Sequence, residues 1–156
     1  MSDIQYRLIT DASTDEIFHD IAIISEQVFP GATIDKAIEL NRNKLEGRKN
    51  ILIIIAYEGN KPVGFKQGYE TSPGYFESES GGVLESVRRR GIANEMMRQQ
   101  HHWCLNNGFR FVETNVANDN PAMLILNLKH GFQVVGTYLD RGSIQKVLLQ
   151  KQIAEL

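Results

Sequence analysis

The sequence predicts an α/β domain, a mixed sheet covered by helices, from three observations. Apolar residues switch repeatedly along the chain between the two-residue repeat of strands and the three-to-four-residue repeat of helices. The run Ile51-Leu52-Ile53-Ile54-Ile55-Ala56-Tyr57 is apolar on both faces, as a central strand must be when both faces are covered. Turn formers, among them Pro30-Gly31, Ser72-Pro73-Gly74, Asn107-Gly108 and Gly131, separate these segments. At 156 residues the chain is expected to form one domain over 1–156 with a sizeable core.

In order, Ile4, Tyr6 and Leu8 alternate with Gln5 and Arg7 as a half-buried strand does. Ser13-x-x-Glu16 forms a capping box ahead of a helical stripe of Ile17, Ile21, Ile24 and Val28, which Pro30-Gly31 ends. Thr33 caps a second helix with Ile34, Ile38, Asn41 and Leu45 on one face, Asn41 being its weak member, and Gly47 closes it. After the apolar run, Glu58-Gly59-Asn60-Lys61-Pro62 makes a hairpin turn into a strand from Val63 to Glu70. A strand over residues 75 to 87 follows. The next helix opens near Gly91, carries the stripes Ile92, Met96, Trp103 and Ala93, Met97, Cys104, and stops at Asn107-Gly108. A strand over 109 to 116 leads to a helix capped by Asn120 with Pro121 at its first position. Strands over 132 to 139 and 143 to 150 complete the chain; the last fits either period and is assigned as strand.

Lys and Arg number 17 against 19 Asp and Glu, a net charge of −2, so no nucleic-acid partner held by a basic surface is expected. The single cysteine, Cys104, falls on an apolar helix side and suggests a buried thiol in a reducing compartment, hence the cytoplasm. No stretch reaches the length of a membrane span, and the first residues do not read as a secretory leader.

Chemistry concentrates at one junction, Gly82-Val83-Leu84-Glu85-Ser86-Val87-Arg88-Arg89-Arg90-Gly91-Ile92-Ala93-Asn94, where a strand turns into a helix. The unpaired N–H groups and positive dipole end of such a helix favour a phosphate, and three arginines add charge. The spacing Arg88-x-x-Gly91-x-Ala93 resembles the pyrophosphate-binding signature of the GNAT superfamily of N-acetyltransferases. A second stretch, Asn120-Pro121-Ala122-Met123-Leu124-Ile125-Leu126-Asn127-Leu128-Lys129-His130-Gly131-Phe132, is similar to that superfamily's C-terminal motif. Its Asn and Gly-Phe match, while Met123 and Asn127 stand where Ala and Tyr are usual, a form that resembles one group of GNAT sequences.

The resemblance implies a largely antiparallel sheet of about seven strands covered by about four helices, in the order β-α-α-β-β-β-α-β-α-β-β. It implies acetyl-CoA as acyl donor, with backbone N–H groups of Arg89, Arg90, Gly91, Ile92, Ala93 and Asn94 around the pyrophosphate and Arg88 beside it. Gly81, Gly82 and Val83 would lie along the pantetheine arm, an N–H near Val83 would polarise the thioester carbonyl, and Asn120 would bond the arm from the facing helix. The acceptor would be an amine-bearing small molecule or peptide, flanked by the first two helices and the loop at 71 to 76, with Phe29, Tyr75 and Phe76 at hand.

An alkyl ammonium with a pKa of ~10 must lose its proton before attack, so a base or a water path is needed. Glu77 and Glu79 share the strand parity of Val83, so all three face one side if no bulge intervenes. Some GNAT members place a base at the position matching Glu77; others use the next strand, where this chain has Asn115. Asn127 is expected to have no acid role, because an amide does not give up a proton; Tyr69, Tyr75 and Tyr138 are the alternative donors. His19, His101, His102 and His130 lack the spacing and partners of a zinc site, and read as solvated surface with no metal. Two other functions compete with the enzyme. One is an acyl-CoA-binding module that has lost catalysis; the other, an unrelated nucleotide-binding domain, is disfavoured because no Walker lysine or Gly-x-Gly-x-x-Gly occurs.

Overall fold

The computed structural model describes residues 3–11 and 14–155. Its strands are β1 (Ile4–Ile9), β2 (Lys49–Glu58), β3 (Lys61–Ser72), β4 (Tyr75–Val83), β5 (Phe111–Ala117), β6 (Gln133–Leu139) and β7 (Gln145–Gln152). The helices are α1 (Asp15–Val28), α2 (Ile34–Leu45), α3 (Ile92–Asn106) and α4 (Pro121–Lys129), with a short 3-10 turn at Glu85–Val87. The strands form one sheet, β1-β2-β3-β4-β5-β7-β6. Only β4 and β5 run parallel; the other neighbours are antiparallel. This is the predicted fold class in the predicted order.

The core explains the apolar run. Leu52 to Ala56 of β2 have no accessible surface, because helices cover both faces. A Cβ placed on Gly82 would meet Val28 of α1, whereas one on Gly64 would meet Ile92 and Met96 of α3, so α1 and α3 lie on opposite sides. Ile17, Ile21 and Ile24 seal the α1 side, and Ile92, Met96, Met97 and Cys104 the α3 side. Each such side chain stabilises the fold by about 1.5–3 kcal/mol relative to exposure.

Several details depart from expectation. The strand predicted over 75 to 87 ends at Val83; Leu84 still donates its N–H to Val63, and the chain then winds into the 3-10 turn. Leu8 is 44% exposed and Ile9 is buried instead, so the inward alternation of β1 breaks at its end. Ser13 of the capping box lies outside the described residues; α1 is capped at Thr14, which makes no side-chain cap bond. Phe109 is not in β5 but turns into the core against Phe76 and Trp103. Asn41, the weak member of the α2 stripe, is buried because Gln67 of β3 donates to its Oδ1 at 3.1 Å.

One irregularity matters for the site. Gln67 pairs with Ser80 but Gly68 pairs with Ser78, so Glu79 is an extra residue, a β-bulge. Paired residues share a face, so Tyr69 and Glu77 point to the α1–α2 side with Gln67 and Ser80. Beyond the bulge the parity is inverted: Gly82 meets Val28 of α1, and Val83 pairs with Gly64 on the α3 side. Glu77 and Val83 therefore face opposite sides, against the expectation that held only without a bulge. Gly68 permits this kink, since a Cβ there would collide with the Glu77 carbonyl and the Phe76 ring. Gly68→Ala is expected to lower stability by about 2 kcal/mol or more in denaturant melts, while an unchanged midpoint would show that β4 can shift.

Candidate active site

β4 and β5 stay paired only between Tyr75–Glu77 and Phe111–Glu113, and a cleft of about 610 Å³ opens past that point. Its floor is Gly81, Gly82 and Val83. Met96 and Met97 of α3 form one wall, Asn120, Met123 and Leu126 the facing one, and Val28 and Phe29 close the α1 end. At the mouth, the turn before α3 holds two residues of left-handed φ. Arg88 is extended, Arg89 has φ +66° and Gly91 φ +77°. These two left-handed residues turn the backbone sharply into α3, whose first N–H groups are unpaired within the helix. A smaller recess of about 150 Å³, lined by Val83, Arg88, Arg89, Gly91, Ile92, Ala93 and Asn94, sits at this turn.

Gly91 is required by its backbone. A Cβ there would meet no protein atom within 4 Å, but a side chain at φ +77° is strained. Arg88 donates from Nε to the Val83 carbonyl at 3.1 Å, tying the turn to the strand. Ile92 buries its side chain, so its N–H is what it offers the recess. Arg90 stands apart from the other predicted residues: its guanidinium pairs with Glu58 at 2.6 Å, at the end of β2. Asn120 lines the cleft and also caps α4, its Oδ1 accepting from the Met123 N–H at 3.3 Å.

The two glutamates are not cleft walls; they lie behind the bulge on the α1–α2 side. Glu79 is held by Lys44 at 2.6 Å and by Gln67 Nε2 at 2.9 Å. Glu77 is half-buried and accepts from Asn115 Nδ2 at 3.4 Å. Burial raises its carboxyl above the ordinary value, with nearby Glu79 adding to the rise and Arg48 opposing it. A raised carboxyl pKa is what a base working near neutrality needs. Of the candidate proton donors, Tyr69 lies buried under the Arg48 guanidinium and Tyr75 stacks on Phe111 at 4.9 Å. Phe76, expected near the acceptor, is fully buried in the core.

Asn127 is buried and donates from Nδ2 to the Met123 carbonyl at 2.9 Å, while its own carbonyl accepts from His130 and Phe132. It fastens the end of α4. Asn127→Ala is expected to cost about 1–2 kcal/mol of stability and leave the single-turnover rate near normal; a large fall in that rate would overturn its exclusion from proton transfer. His101 corrects the solvated reading of the histidines: it packs against the Phe132 ring, and burial together with Lys151 lowers it to about 3. Among the described residues no group of three or more His, Cys, Asp or Glu could hold a metal ion.

Sequence reasoning missed Lys66 of β3, which lines the cleft opposite Gly81. Nothing local marks it, because Phe65-Lys66-Gln67 reads as ordinary strand. Only the pairing with a glycine makes room for its side chain in the cleft.

The sequence profile of the acetyltransferase (GNAT) family matches residues 17–132, most of the chain and both motifs up to Phe132. The chain belongs to the GNAT family. Solved structures agree at the level of fold. The ribosomal-protein-S18-alanine N-acetyltransferase from Escherichia coli superposes with a TM-score of 0.79 at 12% identity, covering 97% of this chain and 96% of that one. Ard1 from Thermoplasma volcanium gives 0.78 at 17%, covering 97% and 99%. A GNAT family acetyltransferase from Elizabethkingia anophelis with acetyl-CoA bound gives 0.68 at 15%, covering 96% and 97%. No curated protein matches by sequence. This GNAT chain has no helix among its described residues that is long and apolar enough to cross a membrane.

Proposed function

We propose that the chain is an acetyl-CoA-dependent N-acetyltransferase that passes the acetyl group to a primary amine by direct attack in a ternary complex. The observation that carries this reading is the positive-φ turn opening α3 at the mouth of the cleft where β4 and β5 part. The turn and the first N–H groups of α3 suit a pyrophosphate, the apolar cleft suits the pantetheine arm, and Gly81 to Val83 leave backbone open along it. The acyl-CoA-bound GNAT relative supports the same donor.

In this scheme the neutral amine attacks the thioester carbonyl, an N–H near Val83 stabilises the oxyanion, and the C–S bond breaks. The thiolate leaves with a conjugate-acid pKa of about 8.5, low enough for water to protonate it. The cleft reaches the α1–α2 side at Phe29 and Gly82, so the acceptor comes from there, the side that Glu77 and Glu79 share. Glu77 is the better base, because Glu79 is engaged by Lys44. The buried thiol of Cys104 suits the cytoplasm.

A second reading, a silent acyl-CoA-binding module, is favoured by Asn115 and Asn127 in places where relatives carry chemistry. A panel of small amines, amino acids and peptide termini incubated with acetyl-CoA, read by thiol release, separates the two. Amine-dependent release is expected; acetyl-CoA binding without release for any amine would favour the silent module.

A further inference from the structure

We infer that Lys66 is a self-acetylation site, its amine taking the acetyl group from a thioester bound in the same cleft when no acceptor is present. The inference rests on the acetyl-CoA reading above and on the placement of this one side chain. Lys66 lies across the β3–β4 ladder from Gly81, whose missing side chain leaves room for it, and it lines the cleft with Gly82, Val83, Met96 and Met97. It is partly buried, and among the described residues no carboxylate or hydrogen-bond acceptor engages its Nζ.

The groups around it are cationic or neutral. Arg88 lies on the cleft wall, and His101 of α3 and His130 at the end of α4 both feel the Lys66 charge. An unpaired amine taken out of water is pushed toward its neutral form. Burial lowers Lys66 to about 8, against an ordinary value of 10.5. At neutral pH that raises the nucleophilic fraction by roughly a few hundredfold over a surface lysine. In the step itself the neutral Nζ attacks the carbonyl carbon, the N–C bond forms and the C–S bond breaks. The CoA thiolate departs with the electron pair, the nitrogen loses a proton to water, and water protonates the thiolate.

The test uses the full chain with acetyl-CoA and no added amine, at about pH 8, followed by digestion and mass spectrometry. Lys61, exposed at the start of the same strand, is the internal reference. Lys66 is expected to be acetylated at least about tenfold faster than Lys61, and excess CoA lacking the acetyl group should suppress Lys66 but not Lys61. Lys66→Arg should lose the fast label. Equal rates at the two lysines, or labelling of Lys66 that CoA does not suppress, would overturn the inference. Calorimetry on the same preparation keeps the two readings apart. Acetyl-CoA binding without fast Lys66 labelling defeats the self-acetylation alone, whereas no binding defeats the donor assignment and the self-acetylation with it.

Discussion

Ala93→Glu is expected to weaken acetyl-CoA binding by an order of magnitude or more while the protein stays folded. Ala93 is the second residue of α3 and lines both the cleft and the recess at the arginine turn. A glutamate in the first turn of a helix is neutral or slightly stabilising, because it complements the helix dipole. The same carboxylate would stand where the pyrophosphate is proposed to sit, and two like charges at ~4 Å repel by several kcal/mol at the effective dielectric of a protein surface. The variant thus separates the ligand from the fold, which Gly91→Glu does less cleanly: a side chain at φ +77° adds backbone strain. Calorimetric titration with acetyl-CoA, beside a thermal melt, reads both. Unchanged affinity in the folded variant would move the phosphate elsewhere.

Glu77→Gln is expected to slow acetyl transfer at neutral pH by about 10²- to 10⁴-fold, and Glu79→Gln by much less. Glutamine keeps the size of Glu77 and its contact with Asn115 but accepts no proton. The pH dependence follows from the direction of its shift. Because burial raises the Glu77 carboxyl, the wild-type rate should fall as pH drops through a value above the usual carboxylate range. In the Gln variant that fall disappears, and raising the pH should restore part of the rate as more amine becomes neutral. The Glu79 carboxylate is paired with Lys44 and bonded to Gln67, so its replacement disturbs a structural link between α2 and the bulge. If both variants keep near-normal rates from about pH 6 to 9, deprotonation belongs to water.

The fold was legible wherever one segment's own pattern decides its state. The apolar run of β2, the stripe of α1 and the Asn120-Pro121 start of α4 each needed only local spacing. The cleft was legible in part: Gly81, Gly82, Val83, Arg88, Ala93 and Asn120, drawn from the two motifs, line one cleft. What was hidden is what pairing decides. The bulge at Glu79 arises from the register of β4 on β3, and it alone reverses the relation of Glu77 to Val83. Arg90 reads like its neighbours in sequence, yet Glu58, from a distant hairpin, takes its guanidinium away from the turn. Lys66 is ordinary in its own strand and acquires its setting from Gly81. Asn41 looked like a flaw in a stripe because its partner Gln67 lies on another element.

The claim that acetyl-CoA seats its pyrophosphate at the start of α3 is tested most directly by following backbone amide NMR signals during titration with acetyl-CoA. The largest shifts are expected on Arg89 to Asn94, with further shifts along Gly81 to Val83 and at Asn120. Saturable binding that leaves those amides unmoved and shifts signals elsewhere would contradict it.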